Sequence, residues 1–175
     1  IEVYAKQFAW QARYAGADNT LGLGNVNFID ETNNPIGVDL SDPASLDDKP
    51  VTELHLPKGK KVLFKFRSQD VLHSAYMPHF RAQMNCVPGM VTQFAFTPKY
   101  TTEEMREQSE VMDKTRGINK IRSDKGEDLY EFDYVLLCNK ICGASHYSMQ
   151  MKIVVEEEDD YKQWLAEQAT FAEKL

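Results

Sequence analysis

Apolar and polar residues alternate with a period of two in several short stretches of this chain, and that period predicts strands with one buried face. Over residues 60–67, Val62, Phe64 and Phe66 alternate with Lys61, Lys65 and Arg67, and residues 91–96 repeat the pattern. Residues 2–14 alternate around Tyr4, Phe8 and Trp10 and read as one strand. Further strands are expected over 130–137 and over 149–155, where Met149, Met151, Ile153 and Val155 share a face. Residues 16–50 are rich in Gly, Asn, Asp and Pro, with Asn33-Asn34-Pro35 and Ser41-Asp42-Pro43 as turn signals. They read as long loops with short strands and no helix.

Two stretches leave this pattern. Thr101 followed by Glu104 is a capping-box signal, which Met105 and Met112 extend into a short amphipathic helix. Residues 116–128 then read as a charged, mobile run, so that 99–128 forms a helical and charged insertion. After the acidic run from Glu156 to Asp160, Tyr161, Trp164, Leu165 and Ala169 recur at helical spacing and predict a C-terminal helix over 157–175. Many short strands with polar turns make this an all-β sandwich or barrel with two peripheral helices, in a single domain over 1–175.

Composition narrows the partners. The chain has 175 residues, 42% of them hydrophobic, with 20 Lys and Arg against 27 Asp and Glu for a net charge of -7. That balance argues against nucleic acid and favours a cationic protein partner. No apolar run approaches the roughly 18 to 20 residues that cross a bilayer. The first residue is not Met and already lies in a strand pattern, so a leader or membrane anchor is expected to have preceded this sequence. Three cysteines, two of them four residues apart, do not make a disulfide framework. The close pair, Cys138 and Cys142, points to thiolate or metal chemistry.

The strongest signal is the run from Cys138 to Met149, in which Cys138, Cys142, His146 and Met149 follow one another at offsets 4, 4 and 3. These offsets would suit one helix face, but strand patterns end at Leu137 and resume at Met149, and Gly143 interrupts the segment. A loop between strands fits better. Two thiolates, an imidazole and a thioether form a soft donor set, and the thioether favours copper over zinc. A mononuclear electron-transfer copper site takes one Cys and two His. The extra Cys is explained if both sulfurs bridge a pair of coppers, each with its own His. Of the four His, His73 in Asp70-Val71-Leu72-His73-Ser74 is the candidate for the second.

These motifs, with Asn85-Cys86-Val87-Pro88-Gly89 between them and Gln7-Phe8-Ala9-Trp10 near the start, resemble subunit II of cytochrome c oxidase from Gln7 to about Val155. The resemblance implies a cupredoxin-like Greek-key β-barrel holding two copper ions in a mixed-valence centre. It implies that Cys138 and Cys142 bridge both coppers, that His73 and Met149 complete one, and that His146 with the main-chain carbonyl of Lys140 completes the other. It also implies electron transfer from cytochrome c to haem in subunit I, on the outer (periplasmic or intermembrane) side of a bacterial inner or similar membrane, with N-terminal membrane helices ahead of this domain. The family commonly has Glu at the position of Lys140, where it helps bind magnesium, so magnesium is not expected here. Phe8 stands where the family has an electron-entry Trp, leaving Phe8 and Trp10 as the aromatic candidates for electron entry. Asn85 and Met90 replace the Asp and Arg common near the subunit interface.

Other residues carry plainer expectations. His55 and His79 read as surface or edge residues outside the metal set, Cys86 as a small buried residue, and Trp10 as core. Two other functions share parts of the pattern. A nitrous oxide reductase carries a similar copper domain, but behind a large propeller domain for which this chain has no room. A copper chaperone uses Cys-x-x-x-Cys with a distant His, typically with Pro after the second Cys and on a thioredoxin-like fold. Here Gly143 follows Cys142.

Overall fold

The protein is described from a computed structural model, which covers residues 1–174. Among the described residues, ten strands form two five-stranded sheets. The first sheet contains β1 (Glu2–Lys6), β2 (Ala9–Tyr14), β3 (Lys49–Val51), β5 (Val62–Ser68) and β8 (Thr92–Phe96), ordered β3-β2-β1-β5-β8. The second contains β4 (Leu54–Pro57), β6 (His73–Met77), β7 (Ala82–Cys86), β9 (Tyr134–Cys138) and β10 (Gln150–Glu156), ordered β4-β10-β9-β6-β7. Pairing is antiparallel except for β1 with β5 and β10 with β4. The chain crosses between sheets after β3, β4, β5, β7 and β8 and otherwise stays within one sheet, which gives the expected all-β sandwich.

The alternation in the sequence explains the core. Val62, Phe64 and Phe66 of β5 are buried, as are Val3 and Ala5 of β1, Leu136 of β9, and Met151, Ile153 and Val155 of β10. Each fully buried large side chain contributes roughly 1.5–3 kcal/mol.

Residues 2–14 are a hairpin rather than one strand, with Glu2 opposite Arg13 and Lys6 opposite Ala9. The alternation runs unbroken through the Gln7-Phe8 turn, which contains no Gly, Asn or Pro to mark it. Pairing brings Glu2 Oε2 within 2.7 Å of Arg13 Nε, and Asp48 Oδ2 accepts from Arg13 Nη1 at 2.7 Å. Two buried carboxylates thus balance a guanidinium that is 1% exposed.

The helices also differ from expectation. A one-turn helix, α1 (Pro43–Leu46), occupies part of the 16–50 region, where Asp42 caps Ala44 N and Pro43 starts the turn. The capping box at Thr101 begins α2 (Thr102–Arg106). The stretch 116–128 is largely helical, because α3 runs over Ser109–Lys125 and ends at Gly126 with φ +70°. Asn119 secures it, donating to Tyr130 O at 2.9 Å and accepting from Tyr130 N at 2.6 Å. The C-terminal helix is split into α4 (Glu158–Glu167) and α5 (Phe171–Lys174), because Gln168 turns to an extended ψ of 127°.

His55 lies on the edge strand β4, within the surface-or-edge expectation, but its side chain is buried. Its ring lies on that of Trp164 at 3.9 Å and 7° between planes, with Glu156 and Glu53 at its two nitrogens. This stack docks α4 on β4. His79 is exposed, edge-on to Phe132 at 4.8 Å.

Candidate metal centre

The ligand-bearing residues meet at one end of the second sheet. His73 opens β6, Cys138 closes β9, and Met149 precedes β10. Ala75 pairs with Cys138, which fixes how far His73 stands from the cysteine loop. The segment after Cys138 is a loop, not a helix, with a single 3-10 turn over His146–Ser148. Strand ends on both sides hold it, because Cys138 N donates to Met149 O at 3.2 Å and Asn139 N to Ser74 O at 2.9 Å.

The sulfurs of Cys138 and Cys142 are 3.9 Å apart and both cysteines are free. His73 Nδ1 lies 3.7 Å from Cys138 Sγ, and the two sulfurs with His73 form a group whose ligand atoms are all within 4.8 Å of one another. His146 stands outside that group but brings Nδ1 to 3.5 Å from Cys142 Sγ. Met149 Sδ is 3.9 Å from Cys142 Sγ, and Lys140 O is 3.2 Å from Cys138 Sγ. All six residues expected from the sequence therefore converge. Cys138, Cys142, His73 and Met149 are each at most 8% exposed. The two thiols and the thioether are soft donors and are shielded from water with His73, a set that suits a soft metal such as copper, while His146 is half-buried.

Burial, and then the charge of Cys138, push the Cys142 thiol up to about 11 in the absence of metal. A cation between the sulfurs would reverse this. Lys140 points no carboxylate into the site, and its carbonyl is the group that faces Cys138.

Trp10 is core, 6% exposed, with its ring 6.3 Å from that of His73 and Nε1 donating to Met149 O at 3.4 Å. Phe8 is half-buried and covers Gly143. Cys86 is fully buried opposite His73, and burial pushes its thiol up to about 12.

Sequence reasoning missed two residues. Asp70 Oδ1 accepts from His73 Nε2 at 2.8 Å, and Gln7 Nε2 donates to Cys142 O. Proximity of Asp70 to His73 in the motif could have suggested the first. Nothing local signals the second, which spans 135 residues.

Residues 1–116 match the family described as cytochrome C oxidase subunit II, periplasmic domain. A match covering the cysteine loop as well is an alternative cytochrome c oxidase subunit 2 of Bradyrhizobium diazoefficiens, 39% identical over 174 residues and 98% of this chain. The chain belongs to the cytochrome c oxidase subunit II family. A cytochrome c oxidase subunit 2 of Thermostichus vulcanus is 25% identical over 64% of the chain. The chain spans 52% and 25% of the length of these two relatives.

In fold the chain resembles the periplasmic domain of subunit II of cytochrome oxidase (CoxB) of Bradyrhizobium japonicum, with a TM-score of 0.54 and 16% identity, covering 95% of this chain and 89% of that one. A mixed disulfide intermediate between a thioredoxin-like protein and subunit II of cytochrome c oxidase is similar at a TM-score of 0.51, with 16% identity and coverage of 95% and 87%. The family's members are subunits of an oxidoreductase complex, and its cupredoxin-like fold agrees with the two sheets found here. No described helix is long and apolar enough to cross a membrane.

Proposed function

We propose that this chain is an electron-transfer domain that holds two coppers between Cys138 and Cys142, takes electrons from cytochrome c or an equivalent haem donor and passes them to haem in subunit I. The observation that carries the reading is the pair of sulfurs 3.9 Å apart, each facing the Nδ1 of a different histidine. Met149 would supply the thioether, beside Cys142, and Lys140 the carbonyl, beside Cys138. The bound coppers would supply a reversible one-electron couple.

The chain's own contribution is to keep the donors still. β6, β9 and β10 fix His73, Cys138 and Met149, while the hydrogen bonds from Cys138 N and Asn139 N anchor the start of the loop. A site that rearranges little between redox states exchanges electrons with a small barrier. The domain acts on the outer side of an energy-transducing membrane, in line with the periplasmic description of its family. Lysine at 140 leaves no basis for the magnesium that a carboxylate would hold at the subunit interface.

Before loading, both thiols must be reduced. A relative trapped in a mixed disulfide with a thioredoxin-like protein makes such a reductant a reasonable partner for the cysteine pair here. A chaperone role is disfavoured by the two-sheet fold, which lacks the strand-helix alternation of thioredoxin-like carriers.

Copper titration of the reduced protein tests the reading. Two coppers per chain with a purple, seven-line mixed-valence spectrum are expected. One copper with a mononuclear spectrum, or zinc bound in preference, would overturn it.

A further inference from the structure

Two loops carry the ligands, and a third segment without any ligand touches both. The β1–β2 turn places Gln7 N 2.7 Å from Asp70 Oδ2, while the Gln7 side-chain amide donates to Cys142 O. Asp70 Oδ1 accepts from Val71 N at 2.6 Å and from His73 Nε2 at 2.8 Å. Phe8 closes over Gly143, where a Cβ would come within 2.7 Å of the ring.

We infer that Asp70 and Gln7 are positioning residues of the metal centre, Asp70 by selecting the tautomer and orientation of His73 and Gln7 by tying the cysteine loop to the same carboxylate. This rests on the metal reading above for its redox consequence, but not for its geometry. A carboxylate only accepts hydrogen bonds, so the ring nitrogen facing Asp70 must carry the proton. In the neutral ring the other nitrogen, Nδ1, then offers its lone pair to the space beside Cys138. His73 is fully buried, so no water competes for the choice.

A turn-closing role for Asp70 would require only the bond to Val71 N. It does not account for the second oxygen, which is spent on an amide 63 residues away in sequence. The two histidines are also unequal: among the described residues no hydrogen bond fixes Nε2 of His146, whereas that of His73 is held. Asp70 therefore acts on one half of the centre.

An anionic acceptor on Nε2–H makes the imidazole a stronger donor, which favours the more highly charged, oxidised metal. Removing that charge with Asp70→Asn, which keeps the shape, should raise the reduction potential. At fixed ambient potential the reduced-to-oxidised ratio should rise several-fold, and a tenfold rise corresponds to about 59 mV for a one-electron couple.

Two measurements decide the matter. In metal-free, reduced protein, nitrogen-15 NMR of histidine should find His73 as the Nε2–H tautomer, and Asp70→Asn should change the tautomer ratio of His73 while leaving His146 alone. In copper-loaded protein, spectroelectrochemistry should find the potential raised by Asp70→Asn with two coppers retained. An Nδ1–H tautomer in the parent protein, or an Asp70→Asn variant with unchanged tautomer and potential, would overturn the inference. If Asp70→Asn does not fold, Gln7→Ala on the exposed turn carries the test. Amide hydrogen exchange over 139–143 should then quicken several-fold with β9 unaffected, and an unchanged rate would overturn the tie. A parent protein with the Nε2–H tautomer that binds no copper pair would defeat the copper reading while leaving the orienting role of Asp70 supported.

Discussion

Cys138 Sγ and Cys142 Sγ face each other at 3.9 Å, far beyond the roughly 2.05 Å of a disulfide. This is the separation of two sulfurs able to share metal ions between them. Cys138→Ser replaces one soft bridging donor by a hard, protonated hydroxyl. Copper content should fall from two per chain to one or none, with loss of the mixed-valence hyperfine pattern. Metal analysis with electron paramagnetic resonance on the same sample checks this, and an intact dinuclear spectrum would exclude Cys138 as a bridge.

Lys140 bears on the site through its main chain, since its carbonyl lies 3.2 Å from Cys138 Sγ. Every residue supplies that carbonyl. Lys140→Ala should accordingly retain two coppers and a nearly unchanged visible spectrum. A bound magnesium within coordination distance of residue 140 in an assembled complex would contradict the role assigned to this lysine.

Gly143 has φ +148° and lies under the Phe8 ring, so an added Cβ meets both an unfavourable backbone and a side chain 2.7 Å away. Gly143→Ala should destabilise the protein by about 1–3 kcal/mol, as overpacking commonly does. Urea unfolding of the metal-free protein measures this. Phe8→Ala in the same background should recover part of the loss, because it removes the ring contact and leaves the backbone strain and the approach to Gln7 Nε2 at 2.8 Å.

Thiol reactivity should separate the cysteines by pH. Burial holds Cys86 at about 12, and burial with the charge of Cys138 holds Cys142 at about 11. Raised values mean that the neutral thiol dominates at neutral pH, and the thiolate of Cys142 grows about tenfold per pH unit up to its pKa. Alkylation of Cys142 in metal-free protein should therefore accelerate from pH 7 to 10, while Cys86, which is fully buried, reacts only on unfolding. Peptide mapping after timed labelling would detect a Cys86 that reacts first.

Val71, Leu72, Ile141 and Tyr147, each within two residues of a ligand, are exposed and make the rim of the metal site apolar. Near the loop, Lys140 adds a positive charge to a chain whose net charge is -7. Association with a cationic haem donor should slow as salt rises, because the overall field is screened beyond roughly 8–10 Å. Lys140→Glu should speed association and steepen the salt dependence. Stopped-flow rates at several ionic strengths measure both, and a rate indifferent to salt would place recognition in the apolar rim alone.

Much of this protein is legible along the chain because strand alternation and ligand identity are local properties. Val62, Phe64 and Phe66 declare a half-buried strand, and Cys138, Cys142, His146 and Met149 declare soft-metal chemistry, since residue type and spacing suffice for both. The choice of His73 needed the family resemblance as well as its residue type. The turn between Lys6 and Ala9 stayed hidden because the apolar period passes through it unbroken. The helix over 116–125 was concealed by its charge: no residue of α3 is buried, so it has no apolar face to announce it. The environment of His55, the link from Gln7 to Cys142 and the hold of Asp70 on His73 were decided by tertiary structure alone. Each depends on which strands become neighbours, and that is settled by the pairing of two sheets around a shared core rather than by any one segment.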